Sequence, residues 1–442
     1  MNKTLGPWNT ISLGLMVFAF FLGAGNLIFP PLAGLLAGEN LGLAILGFLL
    51  TAVGLPLLAL LAIAKAGGGL TELTRLLPKP VGRAISLMIY FVLVPGFGIP
   101  RTCLVAYELG FAPFFDEPSQ LILFVYSAFY FFAALALVLR RDGLLDSVGK
   151  VITPVLIICI GVLGYFVFVT PFSTQIPVAS GDYAIAPITT GFLEGYNTMD
   201  ALAALMFGVL MTDALREKGI NDKKSIMRYL SIASVIAALG LSLFYVVLFN
   251  LGVTASGLAP GAQNGGEIIV PYVAHWFGTQ GQFLLTAIVT LACFTTAVGG
   301  ISAFSSYIEK NSRLAYKHVA IGAALVCAIV ANVGLTQLLG FSIPILVGVY
   351  PIAMALIALN LASSYFKQPR QAFGLVVAVA TIFGVLDGAK TAGLDMSMFR
   401  VLPGFDLGLA WALPTLIAFV IALLMPAKQT NEAPIGERVT ES

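Results

Sequence analysis

The stretch Phe20–Pro31, FFLGAGNLIFPP, interrupts an apolar run with two glycines and an asparagine, and paired prolines close it. A backbone N–H or C=O group without a partner is costly inside a bilayer, so a broken helix persists only where protein or a cavity satisfies it. Transporters use a break at the middle of a span to hold a small charged solute. The stretch therefore predicts a binding site at Gly23–Asn26, unless the glycines serve only close helix packing and the prolines only kink the span.

The composition indicates a polytopic membrane protein. Hydrophobic residues make up 59% of the 442 positions, charged residues only 10%, and the mean hydropathy is +0.98. The first apolar stretch is too long for a signal peptide and is expected to be retained. The four cysteines lack paired spacing and the two histidines lie beside loops, so we expect no disulfide framework, zinc site or other cofactor. The chain has no nucleotide-binding motif, which argues against an ATP-driven pump, and no nucleic-acid partner is expected.

Apolar stretches of membrane-spanning length recur along the chain. A helix needs about 20 apolar residues to cross the hydrocarbon core. On this criterion the sequence predicts twelve transmembrane helices, approximately at 11–37, 41–64, 84–109, 119–139, 148–170, 188–214, 228–252, 280–308, 317–336, 341–365, 371–390 and 405–425.

The distribution of basic residues supports this topology. If the N-terminus is cytoplasmic, all but three of the 23 Lys and Arg residues fall on the cytoplasmic side. Lys390 and Arg400 fall outside, and Arg101 lies within a span. This bias fits the positive-inside rule for a protein of the cytoplasmic membrane with both termini in the cytoplasm. The connection 253–279, which has no Lys or Arg, is expected to be an external loop, and the polar tail after Met425 is expected to be disordered.

A second break is predicted in the sixth span, where GFLEGYNTMD (Gly191–Asp200) opens a helix. A carboxylate inside a membrane is expensive and indicates a functional site by default. Glu194 is expected to begin the span at the outer interface. Asp200 either caps the inner half of the helix, lines the site, or does both.

The positions of the two breaks predict an inverted repeat. Spans 1 and 6 are five spans apart, an odd number, so the second unit has the opposite orientation. Interrupted segments at corresponding places in two inverted halves point to the central site of a transporter. The predicted organisation is a cytoplasmic N-terminus at 1–10, a first repeat of spans 1–5 at 11–170, a second repeat of spans 6–10 at 188–365, spans 11–12 at 371–425, and a cytoplasmic tail at 426–442.

Four motifs in a fixed order carry a family resemblance. They are FFLGAGNLIFPP, PGFGIPRT (Pro95–Thr102), GYNTMDALAA (Gly195–Ala204) and TAVGG (Thr296–Gly300). Through them the chain resembles, over nearly its whole length, the branched-chain amino acid:cation symporters, the type II carriers for leucine, isoleucine and valine. The resemblance implies the amino acid–polyamine–cation superfamily, a LeuT-type fold, and symport driven by Na⁺ or, in some relatives, by H⁺.

The resemblance also implies roles for particular residues. The substrate carboxylate would meet the unwound backbone of Gly23, Ala24 and Gly25, and the ammonium would meet carbonyls near Tyr196, Asn197 and Thr198. Asn26 and Asp200 are included in the predicted substrate site.

A sodium site between spans 1 and 8 is implied as well. Its ligands would be the carbonyls of Ala19, Leu22 and Ala292 and the hydroxyls of Thr295 and Thr296. Residues at i, i+3 and i+4 share one helix face, and neutral oxygens suit a hard monovalent cation. Threonines in a membrane helix alternatively hydrogen-bond to their own i−4 carbonyl. We therefore expect Na⁺ as the coupling ion, with a proton as the open alternative.

Apolar side chains near the breaks are candidates for a substrate pocket. Phe20, Phe97, Met199 or Phe207 would bury a branched aliphatic side chain, at about 0.8 kcal/mol per CH₂ group. One methylene group discriminates poorly between substrates, so one carrier for all three branched-chain amino acids is expected. The alternative for each of these side chains is ordinary contact with lipid or a neighbouring helix.

Arg101 lies towards the external end of span 3, and a charge there needs a partner or a water-filled cavity. Glu108, two helical turns further on, is one candidate partner, and snorkelling to the outer interface is the alternative. We expect Arg101 in an external vestibule and not as a direct ligand of the substrate carboxylate.

Together these features predict a symporter that imports branched-chain amino acids with a monovalent cation by alternating access, in contact with membrane lipid. A permease or exchanger for another neutral amino acid is the alternative within the same class. A channel or sensor would need a continuous polar pore, whereas the polar positions cluster at the two breaks. An enzyme is not expected, because no histidine lies within a span and Asp200 has no obvious catalytic partner.

Overall fold

A computed structural model describes residues 5–140 and 153–426. Within these ranges the regular elements are all helical, which confirms the predicted all-α class. Residues 148–152 of the predicted fifth span and 427–442 of the predicted tail lie outside the described residues. The same holds for five basic residues used for the topology, Lys3, Arg141, Lys150, Lys428 and Arg438.

The α-helices of the described ranges are numbered here in chain order. They are α1 (Pro7–Phe21), α2 (Ala24–Ala37), α3 (Leu41–Leu49), α4 (Leu55–Ala66), α5 (Leu70–Leu73), α6 (Lys79–Phe91), α7 (Gly98–Val105), α8 (Gln120–Val138), α9 (Thr153–Val169), α10 (Asp182–Ile185), α11 (Pro187–Glu194), α12 (Asp200–Glu217), α13 (Lys223–Thr254), α14 (Gly266–Asn311), α15 (Tyr316–Ala331), α16 (Leu335–Leu361), α17 (Pro369–Thr391) and α18 (Ala412–Leu424). Short π-helical or 3₁₀ turns connect several of them, at Gly38–Asn40, Leu50–Gly54, Val92–Gly96, Ala106–Phe111 and Gly195–Thr198.

Several of these helices are apolar and long enough to cross a membrane. The described residues contain seven such helices, or eight if the bent pair Pro187–Thr198 and Asp200–Glu217 forms one span. Four shorter apolar helices accompany them, Pro7–Phe21, Ile157–Val169, Tyr316–Ala331 and Ala412–Leu424. Each of the twelve predicted spans contains at least one helix, while the number of membrane crossings stays a prediction.

Two glycines with positive φ turn the chain within long helical stretches. Gly38 (φ +46°) ends α2 before the turn into α3, and a Cβ at this position would lie 2.1 Å from the carbonyl oxygen of Pro177. Gly278 (φ +57°) interrupts α14 and separates an initial segment, 266–277, from the remainder. The connection 253–279, expected to be an external loop, is therefore helical in its second half, while its side of the membrane stays a prediction. That half contains Ile268, Ile269, Tyr272 and Val273, which are buried at helical spacing.

Each broken helix packs against the second predicted span of the other half of the chain. The halves of the first, α1 and α2, both contact α13, and the halves of the sixth, α11 and α12, contact α3 and α4, respectively. Glycine allows this approach, since a Cβ at Gly34 would lie 2.0 Å from the Phe249 carbonyl oxygen and one at Gly191 would lie 2.1 Å from that of Ala44. This packing brings the two breaks to the centre of the bundle.

Candidate functional site

The first helix is broken at Leu22 and Gly23. Helix α1 ends at Phe21, and α2 begins at Ala24, so Ala24, Gly25 and Asn26 form its first turn. The break was predicted at Gly23–Asn26 and in fact begins one residue earlier and is shorter. The side chain of Asn26 explains this, because its Oδ1 accepts the N–H of Gly23 at 3.0 Å and supports the helical turn.

This break exposes two opposite ends of helices. The last carbonyls of α1 and the first N–H groups of α2 have no partner within their own helices. The N-terminus of α2 carries partial positive charge, and the C-terminus of α1 carries partial negative charge. A zwitterion can therefore be held at this break with its carboxylate towards α2 and its ammonium towards α1.

The second break passes through a 3₁₀ turn, Gly195–Thr198, and a single residue, Met199, before α12 begins at Asp200. Met199 has φ +64° and ψ +10°, and it is the one non-glycine residue with positive φ in the described part of the chain. The left-handed region costs an ordinary side chain roughly 1–2 kcal/mol, so the surrounding structure must hold this turn.

A buried polar network joins the two breaks. Asn26 donates from Nδ2 to Asp200 Oδ2 at 2.7 Å and also to the hydroxyl of Tyr245, which itself donates to Asp200 Oδ2 at 2.8 Å. Asp200 is 2% exposed, and its backbone N–H donates to Thr198 Oγ1 at 3.4 Å. Asp200 is thus the first residue of α12 and lines the site, while Met199 holds the N-cap position, so of the two roles considered for Asp200 the structure shows the lining role and not the capping one.

Tyr245 was not identified from the sequence. It lies within the apolar helix α13, and its hydroxyl reaches the network only because both halves of the first helix pack on α13. A tyrosine within an apolar stretch gives no local sign of a polar partner, although buried tyrosine hydroxyls usually have one.

Arg101 lies in the centre of the bundle and not in an external vestibule. It is 3% exposed, donates from Nη1 to the Asn197 carbonyl at 2.7 Å and from Nη2 to the Thr198 carbonyl at 3.4 Å, and lies 5.4 Å from the ring centre of Phe29. The open carbonyls of the second break therefore supply the partners that a buried charge requires. Glu108 instead lines a separate cavity with Glu267.

A central cavity of about 40 Å³ lies between the two breaks. Its wall includes eight predicted residues, namely Gly23, Ala24, Gly25, Asn26, Arg101, Thr198, Asp200 and Thr296. The apolar part of the wall includes Phe20, Met199 and Phe207, which were predicted to form the substrate pocket, with Phe20 and Phe207 ring centres 5.2 Å apart.

Three predicted substrate residues lie outside the cavity wall. Phe97 is half-buried at the junction of the π-turn Val92–Gly96 and α7, and it packs against the hydrophobic core. Tyr196 stacks on Tyr350 with ring centres 4.2 Å apart. Asn197 directs its side chain to Glu194 Oε2 at 3.0 Å, while its carbonyl is covered by Arg101.

The groups predicted for the ion lie beside the first break. Leu22 and Ala292 line one apolar cavity, and a Cβ at Gly23 would lie 3.7 Å from Thr296 Cγ2. The hydroxyls of Thr295 and Thr296 both donate to the carbonyl of Ala292, at 2.9 and 3.1 Å. For Thr296 this is the i−4 bond considered as the alternative, and for Thr295 it is an i−3 bond. A hydroxyl that donates keeps its lone pairs, so these oxygens retain the ability to bind a cation. Ala19 is buried in the last turn of α1.

A second, larger cavity leads towards the end of the bundle that carries basic loops. Its wall includes Gly67–Gly69, Arg216 and Lys310, and it shares Met206 with the central cavity. Met206 therefore lies between the candidate site and the basic end of the bundle.

Comparison with known proteins identifies the family of the chain. Residues 7–429 match the model of the family described as branched-chain amino acid transport protein. The chain belongs to this family. The resemblance found from the four sequence motifs is thereby confirmed.

Curated relatives of this branched-chain amino acid transport family cover nearly the whole chain. The chain is 46% identical to the branched-chain amino acid transport system 2 carrier protein of Pseudomonas aeruginosa over 423 residues, which covers 95% of this chain and 96% of the relative. It is 36% identical to the branched-chain amino acid permease BrnQ of Escherichia coli K12, with full coverage of both. These proteins are carriers and permeases, which confirms a transport protein and not an enzyme.

Solved structures show the same fold at low sequence identity. A Na⁺-coupled sialic acid symporter in a substrate-bound outward-open state has a TM-score of 0.63 at 15% identity. The match covers 95% of this chain and 91% of the symporter chain. MHP1, a nucleobase-cation-symport-1 family transporter, has a TM-score of 0.54 at 12% identity, with 93% and 92% coverage. The likeness confirms a LeuT-like transporter fold for this family member.

Proposed function

We propose that this chain is a cation-coupled symporter that imports leucine, isoleucine and valine across the cytoplasmic membrane by alternating access. The observation that carries the proposal is the central cavity, where two broken helices present backbone groups of both signs beside an apolar wall. The names of the relatives support the substrate class, since they are carriers and permeases for branched-chain amino acids.

The amino and carboxylate groups of the substrate have complementary positions at the breaks. The carboxylate binds the N–H groups at the start of α2, in the Ala24–Asn26 turn, where the positive end of the helix dipole favours an anion. The ammonium binds carbonyl oxygens at the end of α1 and in the 3₁₀ turn of the sixth span. Because the transported molecule is a zwitterion, both groups are needed for tight binding.

The side chain of the substrate lies against the apolar wall formed by Phe20, Met199 and Phe207. Burial of each additional CH₂ group there contributes about 0.8 kcal/mol. Leucine, isoleucine and valine differ by at most one such group, and a hydrophobic wall separates them poorly. A single site therefore accepts all three and excludes amino acids with charged side chains.

Sodium is the proposed coupling ion, held by the carbonyls of Ala19, Leu22 and Ala292 and the hydroxyls of Thr295 and Thr296. Gly23 lies close to Thr296, and Leu22 and Ala292 line the same cavity, which supports this set. Ion binding and substrate binding would then share the first break, so each would favour the other. One observation favours H⁺ as a second candidate, namely the buried carboxylate of Asp200 within the network that joins the breaks.

For the whole chain we propose twelve spans with both termini in the cytoplasm and an inverted 5+5 repeat followed by two further spans. The packing of the broken helices supports the repeat, because each of them contacts the second predicted span of the other half. An inverted pair of units related by a pseudo-two-fold axis would produce this exchange of partners.

The test is uptake of labelled leucine into proteoliposomes under imposed gradients. An inward Na⁺ gradient is expected to drive accumulation above the external concentration, and unlabelled isoleucine and valine to compete for it. Accumulation under a proton gradient alone would identify H⁺, and not Na⁺, as the coupling ion. The absence of accumulation under either gradient, by folded protein, would contradict the symporter.

A further inference from the structure

The carbonyl groups that would receive the substrate ammonium are already occupied in this structure. Arg101 donates to the Asn197 and Thr198 carbonyls, at 2.7 and 3.4 Å, from opposite nitrogens of its guanidinium. Hydrogen bonds from a charged donor are about twice as strong as neutral ones. A second cation can use these oxygens only after the guanidinium has moved.

The guanidinium also fills the space between the two breaks. A Cβ at Gly25 would lie 2.7 Å from Arg101 Nη2 and 3.0 Å from the carbonyl oxygen of Asn197, so only glycine leaves room for this arrangement. Asn197 is absent from the wall of the central cavity, whereas Arg101 and Thr198 both belong to it. Arg101 therefore covers the Asn197 acceptor from the side on which a substrate would approach.

The position of Arg101 also matters for the balance of charge in the site. Asp200 is buried beside the second break, and a buried charge left without an opposite charge is strongly destabilising. The guanidinium of Arg101 and the carboxylate of Asp200 line the same central cavity, and Phe29 supports the guanidinium from a position outside the cavity wall. The site is thus neutral and its acceptors are satisfied when no substrate is bound.

We propose that Arg101 is a built-in substitute for the substrate ammonium, which occupies the acceptors of the second break in the empty carrier and is displaced when an amino acid binds. This inference rests on the proposed function. A net importer must return empty after each release, and returning with open carbonyls and an unpaired Asp200 would be slow. Exchange of one amino acid for another does not require that step. Arg101 is therefore a positioning residue for the return of the empty carrier.

The proposal predicts effects of opposite sign for Arg101→Gln. Leucine binding should become tighter, with a Kd lowered about tenfold, because the substrate no longer competes with the guanidinium. Net accumulation should fall about tenfold or more because the return step is impaired. Exchange of internal for external leucine should stay close to the wild-type rate. The matched control is Arg400→Gln, since Arg400 is exposed and pairs with Asp406 at 3.0 Å, and it should change none of these values.

A substrate analogue sharpens the test. 4-Methylpentanoate has the leucine side chain and carboxylate but no ammonium, so it cannot use the freed carbonyls. Its affinity should be unchanged by Arg101→Gln, and only leucine should gain. Phe29→Leu, which removes the ring beside the guanidinium without changing charge, should lower the Kd for leucine by a smaller factor. This second variant tests the proposal if Arg101→Gln does not fold.

The decisive measurement is the leucine Kd of purified wild-type and variant carriers, together with net uptake and exchange in proteoliposomes. Tighter binding with lost net uptake and retained exchange would support the proposal. Weaker binding of both leucine and 4-methylpentanoate in Arg101→Gln would overturn it, because Arg101 would then be a ligand of the carboxylate. Unchanged binding and uptake would overturn it as well. If the wild-type carrier binds no leucine, the proposed function itself fails, which the wild-type arm reveals separately.

Discussion

The two helix breaks of this carrier satisfy exposed backbone groups by different means. The break in the first helix is neutral and local, since Asn26, three residues away, accepts the N–H of Gly23. The break in the sixth helix involves charge and distant partners, because Arg101 binds its carbonyls while Asp200 receives hydrogen bonds from α2 and α13. The first break can therefore keep its shape while other helices move, whereas the second depends on contacts that cross the site.

This difference predicts that substitutions at the second break have the larger effects. Asp200→Asn should reduce leucine uptake by about 100-fold, because loss of a buried charge from a bonded network leaves its partners unmatched, at a cost of about 3–5 kcal/mol. The measurement is the initial uptake rate at equal protein density. Asp213→Asn is the control, since Asp213 is about half exposed and pairs with Arg216. A wild-type uptake rate for Asp200→Asn would show that transport does not need the charge of Asp200 at the second break.

Asn26→Ala should affect both breaks at once. It removes the acceptor for Gly23 N–H, worth about 0.5–2 kcal/mol at a helix N-terminus, and one donor to the buried carboxylate, worth about 1–3 kcal/mol. Tyr245→Phe removes a donor to Asp200 but leaves the Gly23 contact intact. Thermal stability should therefore fall more for Asn26→Ala than for Tyr245→Phe. Equal losses would mean that the local cap at the first break contributes nothing measurable.

Thr296→Ala tests the ion proposed at the first break. Loss of one hydroxyl ligand should raise the Na⁺ concentration for half-maximal uptake by about tenfold, comparable to one lost hydrogen bond to a charged group. Leucine affinity at saturating Na⁺ should change much less. Thr296→Ser, which keeps the oxygen, should resemble the wild type. If Thr296→Ala responds to Na⁺ like the wild type, the ion does not bind Thr296.

The smallest effect is expected at Met199, the left-handed residue of the second break. Met199→Asn should be tolerated, because asparagine enters this region readily, whereas Met199→Val should cost about 1–2 kcal/mol more. Met211→Val provides a comparison, since Met211 is also buried in α12 but has regular helical surroundings. Melting temperatures would measure the difference. Equal destabilisation by valine at both sites would argue against strain at Met199.

The main features of the fold could be predicted from local sequence. Helical spans follow from apolar length, and both breaks follow from glycine and polar residues within apolar stretches. The first break was predicted about one residue too late, because the side chain of Asn26 rebuilds a turn that glycine alone would leave open. The helix after Gly265 was missed since glycine and proline before it favoured a loop.

The site itself depends on contacts that no local pattern encodes. Arg101 was expected near the outer surface because it lies towards the external end of span 3, whereas the carbonyls that bind it lie 96 and 97 residues away. Tyr245 joins the network from an apolar stretch of α13. Met199 adopts a backbone conformation typical of glycine or asparagine, so the turn could not be predicted from its residue type.

The most direct test of the central claim, that substrate binds in the cavity between the two breaks, is protection of a cysteine placed in its wall. Ala203 lines the cavity in the turn after the second break, and Ala203→Cys in a Cys159→Ser background gives a reactive group there. Leucine should slow its modification by a small polar thiol reagent, with the same half-saturation as transport. An unchanged modification rate at leucine concentrations that saturate transport would contradict binding in this cavity.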